Sequence, residues 1–145
     1  MSGEATPDVL VEADALASFV EQVFATIGVR GDDAALLAEI LVTADLRGVH
    51  THGVSFLPRY VERITSHQID PVGVPRVIGD DGAVILVDAN NAMGHLAAAF
   101  AMREAIGRAR SLGVAAVSVR NSNHCGALAY YPMMALSEDM IGLAT

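Results

Sequence analysis

No lysine occurs anywhere in the chain; all nine basic residues are arginine. That absence excludes Schiff-base chemistry on a lysine amine and a phosphate loop ending in GK[ST]. Cysteine occurs once, at Cys125, so no disulfide can form within the chain, which suits a reducing compartment. Cations are outnumbered by seventeen Asp and Glu, and a net charge of -8 argues against nucleic-acid binding. No apolar run approaches the roughly 18 residues of a membrane span. The opening MSGEATPDVL has neither a basic n-region nor an apolar h-region, so no secretory signal is expected. These absences describe a soluble, cytoplasmic protein. A G-x-G-x-x-G dinucleotide fingerprint is missing as well.

What is present is globular: 52% of residues are hydrophobic and 18% charged. A chain of this length buries roughly 68–70% of its unfolded surface, enough for a sizeable core. Leu16, Phe19, Val20, Val23, Phe24 and Ile27 fall on one helical face, with Gly28 as a stop. A second helix, capped by Asp32 or Asp33, carries Leu36, Leu37, Ile40, Leu41 and Ala44 and frays near Gly48. A third follows Pro58 with Tyr60, Val61 and Ile64. PRVIGDDGAVILVDA reads as two strands around an Asp-Asp-Gly turn. Gly94 opens a long helix, periodic from Leu96 to Arg110 and ended by Gly113. Val114 to Val119 reads as a buried strand, followed by a loop, a helical segment interrupted by Pro132, and a strand in MIGLAT. An apolar strand at the last residue is expected to be an edge, or the chain to be the front part of something longer.

Chemistry concentrates in two places. NSNHCGA sets an imidazole, a thiol and a glycine at an expected strand-to-helix junction, where helix N–H groups favour anions. His124 there can exchange a proton near neutral pH, or serve only its own loop. Cys125 is a nucleophile if its thiol is activated, and a wall residue otherwise. RGVHTHGV places His50 and His52 in an H-x-H pair, with Thr51 able to orient an imidazole. A metal-dependent hydrolase using His50, His52, His95 and His124 is conceivable, but no ligand spacing supports it, and no metal is expected. Asp45 and Arg47 either pair with each other or stand in solvent.

ADLRGVHTHGVSFLPRYVERI, VDANNAMGHLAAAFAMREAI and VRNSNHCGALAYYP, in that order, resemble the malate/L-lactate dehydrogenase family of the non-Rossmann kind. Relatives in that family include ureidoglycolate, sulfolactate and diketogulonate dehydrogenases and piperideine-carboxylate reductases. The resemblance implies an α/β fold, with N-terminal helices followed by part of a non-Rossmann cofactor-binding sheet and packed helices. It divides the chain into a helical region, 1–70, carrying H-T-H-G, and the first part of the cofactor-binding domain, 71–145. It implies an NAD- or NADP-dependent oxidoreductase that interconverts 2-hydroxy and 2-oxo acids, typically as a homodimer.

By the same resemblance His52 is the proton donor, Thr51 orients it, and His124 is the active-site base. Cys125, Gly126, Ala127, Leu128 and Ala129 line the cofactor. Phe56 stands where the family often has an arginine for the substrate carboxylate, and Arg47 or Arg59 is the candidate to replace it. Because family chains are longer, the chain is expected to be an N-terminal portion, inactive alone. The alternative expectation is a non-catalytic module that binds a partner subunit or a small anion.

Overall fold

A computed structural model describes residues 9–145; the start of MSGEATPDVL, from which no secretory signal is expected, lies outside them. Helix α1 (Ala13–Thr26) buries Val20 and Phe24, two members of the predicted stripe. Helix α2 (Gly31–Leu46) buries Leu37, Ile40, Leu41 and Ala44 on its expected face. Neither Asp32 nor Asp33 caps it: the N-cap is Arg30, two residues before Asp32, and it makes no side-chain cap. The two acids occupy the first turn instead, where the helix dipole favours negative charge, and Arg30 Nε donates to Asp33 at 2.7 Å. Gly48, at φ +75°, turns the chain out of α2 as expected.

Two 3-10 turns (His50–His52 and Val54–Phe56) lead into α3 (Leu57–Thr65), with Pro58 in its first turn, where no intrahelical N–H is needed. Strands β1 (Arg76–Asp81) and β2 (Val84–Asp88) form the expected hairpin. Helix α4 (Gly94–Leu112) then crosses to β3 (Ala116–Arg120), which pairs parallel to β2. The sheet order is β1-β2-β3. Among the described residues, five α-helices and this sheet make the mixed α/β architecture that the sequence predicts. Among the described residues, no helix is long and apolar enough to cross a membrane.

One core cluster joins Val20, Phe24, Leu37, Leu41, Tyr60 and Ile64 to Met93 and Leu96 at the start of α4. The α4 N-terminus is thus fixed against the N-terminal helices, and this positions the site.

Two strand expectations are corrected. β3 is not buried: its residues alternate between exposed and half-buried. It is the outer strand of a three-stranded sheet, so only the Val117 and Val119 face gains cover. The MIGLAT segment, residues 140–145, forms no strand. It runs against α5 (Tyr130–Leu136) instead: the Met140 N–H donates to the Ala135 carbonyl, and Ala144 joins the cluster of Ile40, Ala99 and Tyr131. A Cβ on Gly142 would lie 2.7 Å from Pro132 Cα, so its absence permits this close approach. Pro132 does not break α5, because it sits in the first turn.

Asp88 ties the sheet to the loops beyond it. Its carboxylate accepts from the Asn90 N–H at 2.8 Å, Asn121 Nδ2 at 3.1 Å and Arg120 Nη2 at 2.9 Å. These donors, the Asn90 amide first, hold its pKa at about 2 against an ordinary 3.8. A depressed carboxylate stabilises the fold above the unfolded value and loses that contribution as pH falls through the folded one. The Asp88 contribution is therefore full above about pH 4 and disappears towards about pH 2. Urea unfolding as a function of pH checks this: Asp88→Asn is expected to flatten that part of the acid limb, and an unchanged limb contradicts the assignment.

Candidate active site

The turn bearing Thr51 and His52 is held by Asp45, on the last turn of α2. One Asp45 oxygen accepts the Val54 N–H at 2.8 Å and the other meets His50 Nδ1 at 3.0 Å. Gly53 is required beneath it, since a Cβ there would fall 2.2 Å from Asp45 Oδ1. Asp45 therefore does not pair with Arg47, whose Nη1 reaches Met133 Sδ at 3.2 Å. His50 is drawn to Asp45 and stays exposed. Thr51 Oγ1 lies 2.9 Å from His52 Nδ1, which leaves His52 Nε2 without a partner among the described residues.

His124 arrives from the other half of the chain, on the loop after β3. Its ring stacks on that of His52 with centroids 5.5 Å apart and planes 29° apart. Phe56 stacks on the same imidazole at 5.1 Å. The structure thus brings His52, Thr51 and His124 into one place and leaves His50 outside it.

One expectation about this loop is corrected. His124 is not at a helix start: α5 begins at Tyr130, so no helix N-terminus stands behind the imidazole or Cys125. Of the two readings of Cys125, its surroundings favour the wall residue over the nucleophile: burial pushes the thiol pKa up. It is a wall residue, and its carbonyl accepts the Tyr131 hydroxyl.

Tyr60 and His95 complete the cluster; the sequence set His95 with His52 and His124 only as a conceivable metal ligand, and Tyr60 only on the α3 face. Tyr60 Oη lies 2.9 Å from His124 Nδ1 and 3.3 Å from His95 Nε2. A hydroxyl on the buried stripe Leu57, Tyr60 and Ile64 is the signal that marks it, because a buried phenol seeks a partner. Burial keeps the phenol protonated. His95 is fully buried at the start of α4, and burial, then His124, push its pKa down to about 3. The His124 pKa is lowered by partial burial first, then by His52, Arg63 and Arg59. Among the described residues, no three of His, Cys, Asp and Glu converge closely enough to hold a metal ion.

The loop from His124 to Ala129 offers a backbone cradle. None of its N–H groups donates to another residue among those described, while its Ala127 and Leu128 carbonyls accept from α5. Gly126, at φ +72°, allows the turn; a Cβ there would lie 2.7 Å from His95 Nε2. Leu128 and Ala129 are exposed, and Cys125 and Ala127 half-buried. Free donors beyond the C-terminal end of a parallel strand fit a ligand with phosphate or amide acceptors.

The family profile of malate/L-lactate dehydrogenase matches residues 11–145. A malate dehydrogenase of Pyrococcus horikoshii is 40% identical over 134 residues, covering 92% of this chain and 37% of that protein. The L-sulfolactate dehydrogenase of Methanocaldococcus jannaschii is 34% identical over 116 residues, 80% of this chain and 34% of that protein. Among solved structures, the Pyrococcus horikoshii malate dehydrogenase superposes with a TM-score of 0.88 at 38% identity, covering 95% of this chain and 40% of that one. The delta1-piperideine-2-carboxylate reductase of Pseudomonas syringae gives 0.81 at 31% identity, over 90% of this chain and 40% of that one. The chain spans less than two fifths of the length of these curated relatives.

Proposed function

The chain belongs to the malate/L-lactate dehydrogenase family, and from that premise we propose that it serves hydride transfer between a nicotinamide cofactor and a small 2-hydroxy or 2-oxo acid. The observation that carries this reading is the stacking of His52 and His124, 5.5 Å apart, beside a loop with free backbone donors. Reduction of a 2-oxo carbonyl builds negative charge on its oxygen, and a positioned proton donor lowers that barrier. His52 delivers the proton from Nε2, its ring oriented by the Thr51 hydroxyl at Nδ1. His124 meets the same oxygen through Nε2, the nitrogen that Tyr60 leaves free.

The backbone of Cys125, Gly126, Ala127, Leu128 and Ala129 would hold part of NAD or NADP, which supplies the hydride when bound. The site draws on the helical region, 1–70, for His52 and on the α/β region, 71–145, for His124. The activity is proposed for a family-length polypeptide that includes these residues, working as a cytoplasmic homodimer.

A substrate carboxylate needs a cation, and an arginine fork suits it. Phe56 cannot supply one, and Arg47 is turned to Met133. Arg59 stands with its guanidinium carbon 5.6 Å from the Phe56 ring centroid, and that ring in turn stacks on His124. Arg59 is therefore the carboxylate anchor in this reading. A lost charged hydrogen bond costs about 1.5–3 kcal/mol. Arg59→Ala is expected to raise KM for the 2-oxo acid by roughly 10–100-fold, with a smaller change in kcat. An unchanged KM would move the anchor elsewhere.

The functional reading is tested by following reduced-cofactor absorbance with a panel of 2-oxo acids, using the family-length polypeptide. Turnover of at least one acid with NADH or NADPH is expected; none with either cofactor ends the reading. The 145-residue chain alone is expected to show no turnover, since it covers 37% of the length of the Pyrococcus horikoshii relative. Activity in the short chain would show that these residues hold a complete site.

A further inference from the structure

His95 is a buried imidazole that the proposed reaction does not use. Its ring is 0% exposed and lies edge-on to Tyr60, with centroids 5.0 Å apart and planes 86° apart. Gly126 presses on one side, where a Cβ would sit 2.7 Å from Nε2 and 3.0 Å from Cδ2. The ring makes one hydrogen bond, from Nε2 to Tyr60 Oη at 3.3 Å. Its Nδ1 is the one buried side-chain nitrogen or oxygen without a partner among the described residues.

We propose that His95 is a positioning residue: it donates Nε2–H to Tyr60 Oη, so that the Tyr60 hydroxyl donates to His124 Nδ1 and His124 presents Nε2–H to the cleft. A phenol has one proton and lies here between two ring nitrogens, so only one of the two can receive it. If Tyr60 gave its proton to His95, the His95 proton would sit on Nδ1. That would leave a buried N–H with no acceptor, and orphaned donors are rarer in folded proteins than under-used acceptors. With the proton on Nε2 instead, the unpartnered Nδ1 is only an unused lone pair. Tyr60 Oη then accepts from His95 and donates along the shorter contact, 2.9 Å, to His124 Nδ1. A nitrogen that accepts carries no proton. Neutral His124 therefore keeps its single proton on Nε2, which has no partner among the described residues.

This deepens the proposed reading of His124 and rests on it. His124 becomes a fixed hydrogen-bond donor to the developing oxyanion, and proton delivery falls to His52. The same cluster explains why two glycines border the loop. Gly94, one residue before His95, would carry a Cβ 2.0 Å from the Asn123 carbonyl oxygen, and Gly126 would carry one against the His95 ring. Together they seat the loop closely enough for the three-ring chain to form.

Long-range proton–nitrogen NMR spectra of the 145-residue chain, labelled with nitrogen-15, read the tautomer of each histidine directly. In the wild-type chain near neutral pH, His95 and His124 are both expected as Nε2–H forms. His95→Leu is expected to turn His124 into a mixture of tautomers. His95→Gln, whose carboxamide can still donate to Tyr60, is expected to restore the single Nε2–H form. A wild-type spectrum with the proton on His95 Nδ1, or on His124 Nδ1, overturns the proposal. So does a folded His95→Leu chain in which His124 stays entirely Nε2–H. If His95→Leu does not fold, the wild-type spectrum alone decides. The readout is ring nitrogens rather than turnover, so an inactive enzyme with both Nε2–H forms would remove the functional reading and leave this arrangement standing.

Discussion

Alanine at His52 or at His124 is expected to lower turnover by roughly 10²–10⁴-fold, the range for a lost general acid or base. The effect is expected in kcat of the family-length enzyme, because the proposed carboxylate anchor, Arg59, is unchanged. In the proposed reaction the His52 variant lacks the proton donor to the carbonyl oxygen. The His124 variant lacks the second group proposed for that oxygen, the ring that stacks on His52 and takes the Tyr60 hydroxyl. Neither change should unfold the protein. His52 lies in a 3-10 turn that buries none of its residues, and His124 is exposed on a loop. Their side chains stand outside the cluster of Phe24, Leu37 and Tyr60 that holds the helices together. Steady-state kinetics with matched circular dichroism spectra separate the two effects. Near-normal turnover in both variants would contradict the assignment.

Gly94→Ala is expected to destabilise the protein by about 3 kcal/mol or more, at or beyond the upper end for overpacking a filled site. The added Cβ would meet backbone: the Asn123 carbonyl oxygen at 2.0 Å and the His124 carbonyl oxygen at 2.5 Å. No rotamer relieves that clash, so the His124 loop or the start of α4 must move. Such a loss lowers Tm by roughly 10 °C for a domain of this size. Gly107, in the middle of the same helix, is the control. A Cβ there meets nothing within 4 Å, and the position is exposed. Gly107→Ala is expected to stabilise by roughly 0.5–1 kcal/mol, because alanine loses less backbone freedom in a helix. Thermal melts of the two variants check the pair, and equal melting temperatures would show that the loop does not pack against α4.

The helices of this fold were legible because their spacing is a local signal. Val20 and Phe24, or Leu37 and Leu41, recur at helical intervals whatever they pack against. The hairpin was legible from Gly82 between two β-rich runs. The burial of β3 was not, because Val117 and Val119 read the same in a central strand as in an outer one. Only the sheet order decides. Residues 140–145 misled for a related reason: an apolar run is also satisfied by lying against α5 and α2, without strand pairing. At the site, His52 and His124 stood out by their motifs. Tyr60 did not, since a tyrosine on an apolar helical face looks like core, and His95 drew notice only as a conceivable metal ligand. Their meeting depends on how α3 and α4 pack. Asp45 was equally hidden: its partners His50 and Val54 meet it only after the chain turns at Gly48 and brings Gly53 against its carboxylate.

The central claim is that His52 and His124 act as one unit on one oxygen. The double-mutant cycle of His52→Ala and His124→Ala in the family-length enzyme tests this most directly. Groups that work together on one reacting atom show strongly non-additive losses. The double variant is expected to turn over about as slowly as the slower single variant. Losses that multiply, so that the double variant is slower by the product of the two single effects, would mean that the imidazoles act independently and would contradict the shared site.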